Sequence, residues 1–202
     1  MARLDQARRG YLRGIRGVQL TRLDANYQPN TQDSAIISTA TQATFEAIVV
    51  DGPREALRGG DRVLAYYAER SHIVGHTIRL VDARGHLLSL YIVQGGTLIE
   101  EPAGTDTQIV GLRAPRVGEQ HTGPYFEMVA YQASFNVSGG VEGYLKHVWP
   151  FCFAVVQRFN VADQEWTAPE IEVTAVEMPD GSRPFYEVEF VQAADVPPEL
   201  VW

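Results

Sequence analysis

Along most of this chain apolar and polar residues alternate, the period of two that marks strands with one buried face. Residues 17–23 (GVQLTRL), 43–50 (ATFEAIVV), 62–68 (RVLAYYA), 125–133 (YFEMVAYQA), 170–178 (EIEVTAVEM) and 185–192 (FYEVEFVQ) read as strands, and residues 75–81 continue the pattern. Residues 144–149 and 153–159 read as two more, broken at Pro150, which cannot donate to a ladder and marks a bulge or an edge. One stretch departs from the period. In residues 82–96, Leu87, Leu90 and Tyr91 fall at helical spacing, as do Leu88 and Ile92. Asp82 is placed to cap the first turn, and Gly95 to close the last with a left-handed residue. Gly85 weakens that helix, and LLSLYIV is equally compatible with a buried strand.

Between these elements the turn formers fix the connections. DANYQPN (24–30) is a turn, and residues 31–42 (TQDSAIISTATQ) read as an extended connection. The strands at 43–50 and 62–68 predict a long hairpin with a projecting tip at 51–61. The PDGSRP turn joins 170–178 to 185–192 as a second hairpin. Residues 95–115 form a strand-and-turn passage, 116–124 a loop, 134–143 a Gly-rich excursion, and 192–202 an extended tail. Many short strands and one helix predict a β-sandwich or barrel-like domain.

Composition changes this picture little; charge changes it more. The chain has 202 residues, 45% of them hydrophobic, enough for a substantial core. No apolar run approaches the roughly 20 residues of a membrane helix. The basic start, MARLDQARRGYLRGIR, lacks the apolar region of a secretory signal. Cys152 is the only cysteine, so no internal disulfide forms, which fits a reducing compartment. Net charge is −8, split unevenly: residues 1–98 carry +3 and residues 99–202 carry −11. That balance disfavours general nucleic-acid binding and lets a basic surface of one copy meet an acidic surface of the next. Two solvated faces that differ in charge would look the same.

Candidate chemistry is sparse. The sequence has no phosphate-binding loop, no G-x-G-x-x-G, no H-E-x-x-H and no G-x-S-x-G. His72 and His76 have the H-x-x-x-H spacing of a helical metal site, but on a strand they stand about 13 Å apart and cannot share an ion. Cys152, among Trp149, Phe151 and Phe153, reads as a small buried hydrophobe. Asn136-Val137-Ser138 is a glycosylation sequon by pattern only. No catalytic, cofactor-binding or metal-ligating residue is assigned, and no cofactor is expected. Glu170 and Glu172, and again Glu187 and Glu189, are spaced by two and so share a strand face within each pair. They form either a solvated outer face or an acidic lining for a channel or neighbouring subunit, with Val188 and Phe190 turned the other way.

An ordered set of motifs resembles a known family. GVQLTRLDANYQP resembles the opening of major tail tube proteins of long-tailed bacteriophages, a strand running into an Asp-containing turn closed by Pro. TIRLVDARGHLLSLYIVQGG is similar to the family's strand, Asp, helix and terminal Gly-Gly. GPYFEMVAYQA, the Gly-rich loop and YLKHVWPFCFAVV resemble its paired strands with an aromatic-Pro break. The order holds from about residue 17 to 178. Tyr27 stands where the family often has Gly, and Gly85 interrupts the helix.

The resemblance implies a mainly β fold, two packed β-sheets with one flanking α-helix and extended arms and loops. Residues 1–16, with Arg3, Arg8, Arg9, Arg13 and Arg16 and helix-weakening glycines at Gly10 and Gly14, read either as a flexible or partner-ordered N-terminal arm or as a frayed terminus. The resemblance implies one tail-tube domain at 17–202 with a C-terminal extension. It also implies a structural virion protein rather than an enzyme: hexameric rings stacked into a tail tube, assembled in the bacterial cytoplasm. Its partners would be its own copies, a tape-measure protein, tail terminator and distal tail proteins, and viral DNA passing without specific binding, with no membrane insertion. A lumen that conducts DNA should repel phosphate, which a net −8 per copy supplies.

Stacking needs segments that reach beyond the compact body. Three qualify: the arm 1–16, the passage 30–42 and the tip 51–61. Within them Arg3, Arg8, Arg9, Arg13, Arg54, Leu57 and Arg58 are the contact candidates between subunits or rings. Two other classes remain open, a small-molecule-binding or enzymatic β-barrel of the cytoplasm and a different tail-end or head–tail joining component.

Overall fold

The computed structural model describes residues 11–59, 62–103, 106–114, 124–158 and 169–201. The described chain runs β1 (Tyr11–Leu23), β2 (Pro29–Ile37), β3 (Ala40–Val50), β4 (Arg54–Gly59), β5 (Arg62–Ala68), β6 (His72–Asp82), α1 (Leu87–Gln94), β7 (Thr97–Ala103), β8 (Asp106–Arg113), β9 (Phe126–Phe135), β10 (Val141–Arg158), β11 (Glu170–Val176) and β12 (Glu187–Val191). The fold is mainly β with one helix. One antiparallel sheet of eight strands follows the path β2-β1-β9-β10-β11-β6-β3, with β12 also on β10, and β4–β5 and β7–β8 are separate two-stranded ladders.

β2 and β3 lie at opposite ends of that path, yet only Ser38 and Thr39 separate them in sequence. Three Cα steps of 3.8 Å span at most about 11 Å. Six interstrand gaps in a flat sheet would hold the edges roughly 29 Å apart. The sheet must therefore curl until its edges meet, and the two packed layers expected from the sequence are the opposite walls of one curled sheet.

Its inner face carries Val18 and Leu20 of β1, Ile78 and Leu80 of β6, Phe126 and Met128 of β9, Trp149 of β10 and Ile171 and Val173 of β11 in one buried cluster. Ile92 and Val93 of α1 complete it. The strands β1, β9, β10, β11, β6 and β3 alternate in direction, so β3 runs antiparallel to β1, but no ladder joins the two among the described residues. The result is a six-stranded barrel left unzipped along one seam.

β10 is the hub. It pairs with β9 on one side, and on the other with β12 through 144–148 and β11 through 152–158. The register slips between Trp149 and Cys152, so Pro150 occupies a bulge where one partner gives way to the other, as its missing N–H requires.

Several elements differ from the sequence reading. Residues 11–16, expected in the arm, are the first half of β1; residues 1–10 lie outside the described residues. The passage 30–42 is not a projecting connection: Pro29–Ile37 is β2, laddered on β1, and β3 begins already at Ala40. The hairpin at 43–68 is two ladders, because β3 pairs with β6 while β4 pairs with β5. β12 pairs with β10 rather than folding back on β11. The tail is not simply extended: it makes 3-10 turns at Ala193–Asp195 and Pro198–Leu200 and packs Val196 and Leu200 on Tyr131 and Tyr144 of the sheet's outer face.

The helix starts five residues later than its first candidate cap. Asp82 ends β6, buried, and accepts hydrogen bonds from Thr39 Oγ1 (2.5 Å) and the Arg84 N–H (3.1 Å). Gly85 thus precedes the helix and does not weaken it. Gly95 closes it with a positive φ of 72° that suits glycine, though its ψ of −157° is not the left-handed helical cap expected, and its N–H donates to the Tyr91 carbonyl.

Gly75 lies in close backbone contact within the β6–β11 ladder. A Cβ there would lie 2.3 Å from the Ala175 carbonyl oxygen, a backbone atom that cannot yield without breaking the ladder. Gly75→Ala should lose about 2–3 kcal/mol in a denaturant titration. A loss within experimental error would show that the ladder gives way easily.

Candidate assembly surface

The sheet does not end where its core ends. β11 meets β6 only from Gly75 to Val81, but the β3–β6 pairing continues to Val50 and His72. This two-stranded ribbon stands clear of the barrel and leads into β4–β5. The neck between the two ladders is stitched by the Glu69 N–H donating to the Pro53 carbonyl (3.1 Å) and Ser71 Oγ donating to Asp51 (2.8 Å). The approach is so close that a Cβ on Gly52 would strike the Glu69 carbonyl at 2.7 Å.

The projection is apolar without being buried. Val49, Val50, Ile73 and Val74 are exposed on the ribbon, and Leu57, Tyr66 and Tyr67 are 62%, 65% and 58% exposed on the β4–β5 hairpin. Alternation puts Leu57 and Tyr67 on one face of that hairpin, and Arg54 and Tyr66 on the other. A lone two-stranded hairpin is marginal in water. One that shows large side chains on both faces has the character of an element made to be covered. At the other end of the seam, Tyr11 and Leu12 of β1 are exposed as well. Among the described residues, β2 and β3 present the unpaired sheet edges, and β1 has an unpaired edge before Val18, where β2 begins to pair.

The residues singled out from sequence divide as follows. Arg3, Arg8 and Arg9 lie outside the described residues. Arg13 is exposed on β1, and Arg54 and Leu57 are exposed on β4. Arg58 is in β4, with its side chain outside the described residues. Glu170 and Glu172 share the outer face of β11, opposite buried Ile171 and Val173. Glu187 and Glu189 share the outer face of β12, opposite Val148 and Lys146. Val188 of β12 is exposed, so that strand is less covered than its sequence suggests. Among the described side chains, three of the four carboxylates meet cations of their own chain: Glu172 with Arg79 (3.7 Å), Glu189 with Lys146 (3.6 Å) and Glu187 with Arg183. The exposed pairs contribute little to stability.

Arg183 is the exception, because its guanidinium forks onto both Glu187 oxygens (3.1 Å each) and reaches Glu127 of β9 at 2.7 Å. These bonds hold its pKa above the ordinary value, that to Glu187 foremost. Arg183→Gln should cost about 1 kcal/mol, less in high salt. Equal losses at low and high ionic strength would show that packing, not charge, holds this loop.

The seam holds a second feature that sequence reading did not assemble. Phe45 (β3), His76 (β6), His147 and Trp149 (β10) and Phe185 and Tyr186 pack ring against ring, with centroids 5.0–6.5 Å apart. Trp149 Nε1 donates to His76 Nδ1 (3.1 Å), and His147 Nδ1 lies 2.7 Å from the Tyr186 hydroxyl. Burial lowers the pKa of both histidines. Beside the cluster a cavity of about 330 Å³ opens between β1 and β3, lined by Ile15, Gln42, Ala43, Phe45, Ala130 and His147.

Cys152 is fully buried and its pKa is raised by that burial, so its thiol stays protonated and inert. Among the described residues no three His, Cys, Asp or Glu side chains gather as metal ligands. No protein-family model and no curated protein matches the chain.

Proposed function

We propose that this protein is a structural subunit that assembles with its own copies, as the tail tube subunit of a long-tailed bacteriophage. Six copies form a ring, and rings stack into the conduit through which the genome leaves the virion. The observation that carries the reading is the β3–β6 ribbon with its β4–β5 hairpin, whose apolar side chains are exposed among the described residues. The free edges of β2 and β3 supply the second requirement, backbone donors and acceptors through which neighbouring sheets could join.

The turn at 24–28 agrees with the resemblance. Tyr27 takes φ 60°, the left-handed conformation that glycine adopts without strain, at the position where the family often has Gly. The Asp24 carboxylate organises that turn by accepting the Asn26 and Gln28 N–H groups. A tape-measure protein, tail-end proteins and DNA in transit are the partners this function entails, and the virion tail is its location.

The seam cavity favours one competing reading, a barrel that binds a small molecule. Size-exclusion chromatography followed by negative-stain microscopy separates the two. Rings or tubes support the subunit, whereas a monomer at every concentration supports the binder.

A further inference from the structure

We propose that the open seam of the barrel is a proton-sensitive latch, with His76 as its sensor and the edge strand β3 as the part released. The argument begins at one hydrogen bond. An indole N–H can only donate, so the His76 Nδ1 that receives it from Trp149 carries a lone pair and no proton. His76 is therefore neutral in this fold, protonated only at Nε2. Acid adds a proton at Nδ1, which removes the acceptor and turns two N–H groups toward each other. Trp149 is fully buried and, if it stayed in place, would keep an unanswered donor.

Among the described residues, none that faces the cluster compensates the new charge. From β3 the facing residues are Phe45 and Ala47, from β11 Ala175, from β9 Ala130, from β10 His147 and Trp149, and from the segment before β12 Phe185 and Tyr186. The titratable groups among them are His76, His147 and Tyr186, none of which is an anion near neutral pH. Glu46 and Glu187 are neighbours in sequence but alternate to the other side of the sheet, where Glu187 is held by Arg183. His147, stacked 6.1 Å from Trp149 and 6.0 Å from Tyr186, would add like charge.

The consequence falls on β3. Among the described residues, that strand is hydrogen-bonded on one side only, to β6, and Phe45 is its anchor across the seam, touching His76, His147 and Trp149 together. Charging the cluster unseats Phe45 and widens the gap to Gly14 and Ile15 of β1. The sign follows from burial. The folded state binds the histidine protons less readily than the unfolded chain, so the latch is fully closed above the ordinary histidine pKa of about 6.5 and is lost as pH falls through the lower folded value.

The test is amide hydrogen exchange of the full-length protein from about pH 7.5 to about pH 5, corrected for intrinsic exchange rates and bracketing the histidine range, for wild type and His76→Gln. Glutamine keeps an acceptor but does not titrate. In wild type, exchange at 42–47 should rise at least tenfold on acidification while 128–131 in β9 stays protected, and the variant should lose most of that rise. An equal rise in the variant, a rise shared by β9, or no rise in wild type would each overturn the latch.

Discussion

Truncating Trp149 to alanine should cost the barrel about 3–5 kcal/mol, the range for deleting a large aromatic from a closed core. Trp149 is fully buried on the inner face of β10, next to the bulge at Pro150, and its ring meets Phe45, His76, His147 and Tyr186. It belongs to the cluster that links β1 and β2 at one end of the curled sheet with β6 at the other, so the loss bears on closure as well as packing. Trp149→Phe refills most of the volume and should cost about 1–2 kcal/mol, since it also leaves His76 Nδ1 without its donor. Urea denaturation of the two variants checks both values. Equal losses would mean that the hydrogen bond, not the volume, dominates.

A double change on one face of the projecting hairpin, Leu57→Asp with Tyr67→Asp, should abolish assembly and leave the fold untouched. Both side chains are more than half exposed, so the single chain should lose no more than about 0.5 kcal/mol. Between subunits the expectation reverses. Burying two such side chains is worth roughly 3–6 kcal/mol per contact, and charged replacements forfeit all of it. That corresponds to about a hundred-fold to ten-thousand-fold in each contact's association constant, repeated around every ring of the proposed tube. The variant should melt like wild type and sediment as a monomer under every condition in which wild type is expected to assemble. Normal tubes would show that stacking runs through other surfaces, with the free β2 and β3 edges the first to examine.

The strands that build the inner wall were legible because their period of two is strong: Phe126, Met128 and Ala130 in β9, Ile171, Val173 and Ala175 in β11. Pro150 reads as a bulge or an edge that separates two strands; it is a bulge, and the strand continues through it as the single β10, because the register slip accommodates the missing N–H without ending the ladder. β2 was missed because an edge strand with one wet side needs few apolar residues; of PNTQDSAII only Ala35 and Ile37 are buried. Asp82 was read as a helix cap because its residue type suits one, but the same carboxylate serves equally to tie down Thr39 and the end of β6. Strand pairing was the weakest inference. Sequence adjacency pairs 43–50 with 62–68 and 170–178 with 185–192, whereas β12 passes over to β10 and β3 reaches past its own hairpin to β6. The curl had one readable sign, two long strands joined by Ser38 and Thr39 that do not pair. The ring cluster had none, since Phe45, His76, His147 and Tyr186 are drawn from four separate stretches and meet only when the barrel forms.

The exposed ribbon and hairpin carry the functional reading, so the most direct measurement is negative-stain microscopy of the purified full-length protein over a range of concentration and salt. The account predicts rings with six-fold symmetry, or tubes built from them, with an open lumen. A monodisperse monomer at every concentration and ionic strength, its hairpin uncovered, would contradict it.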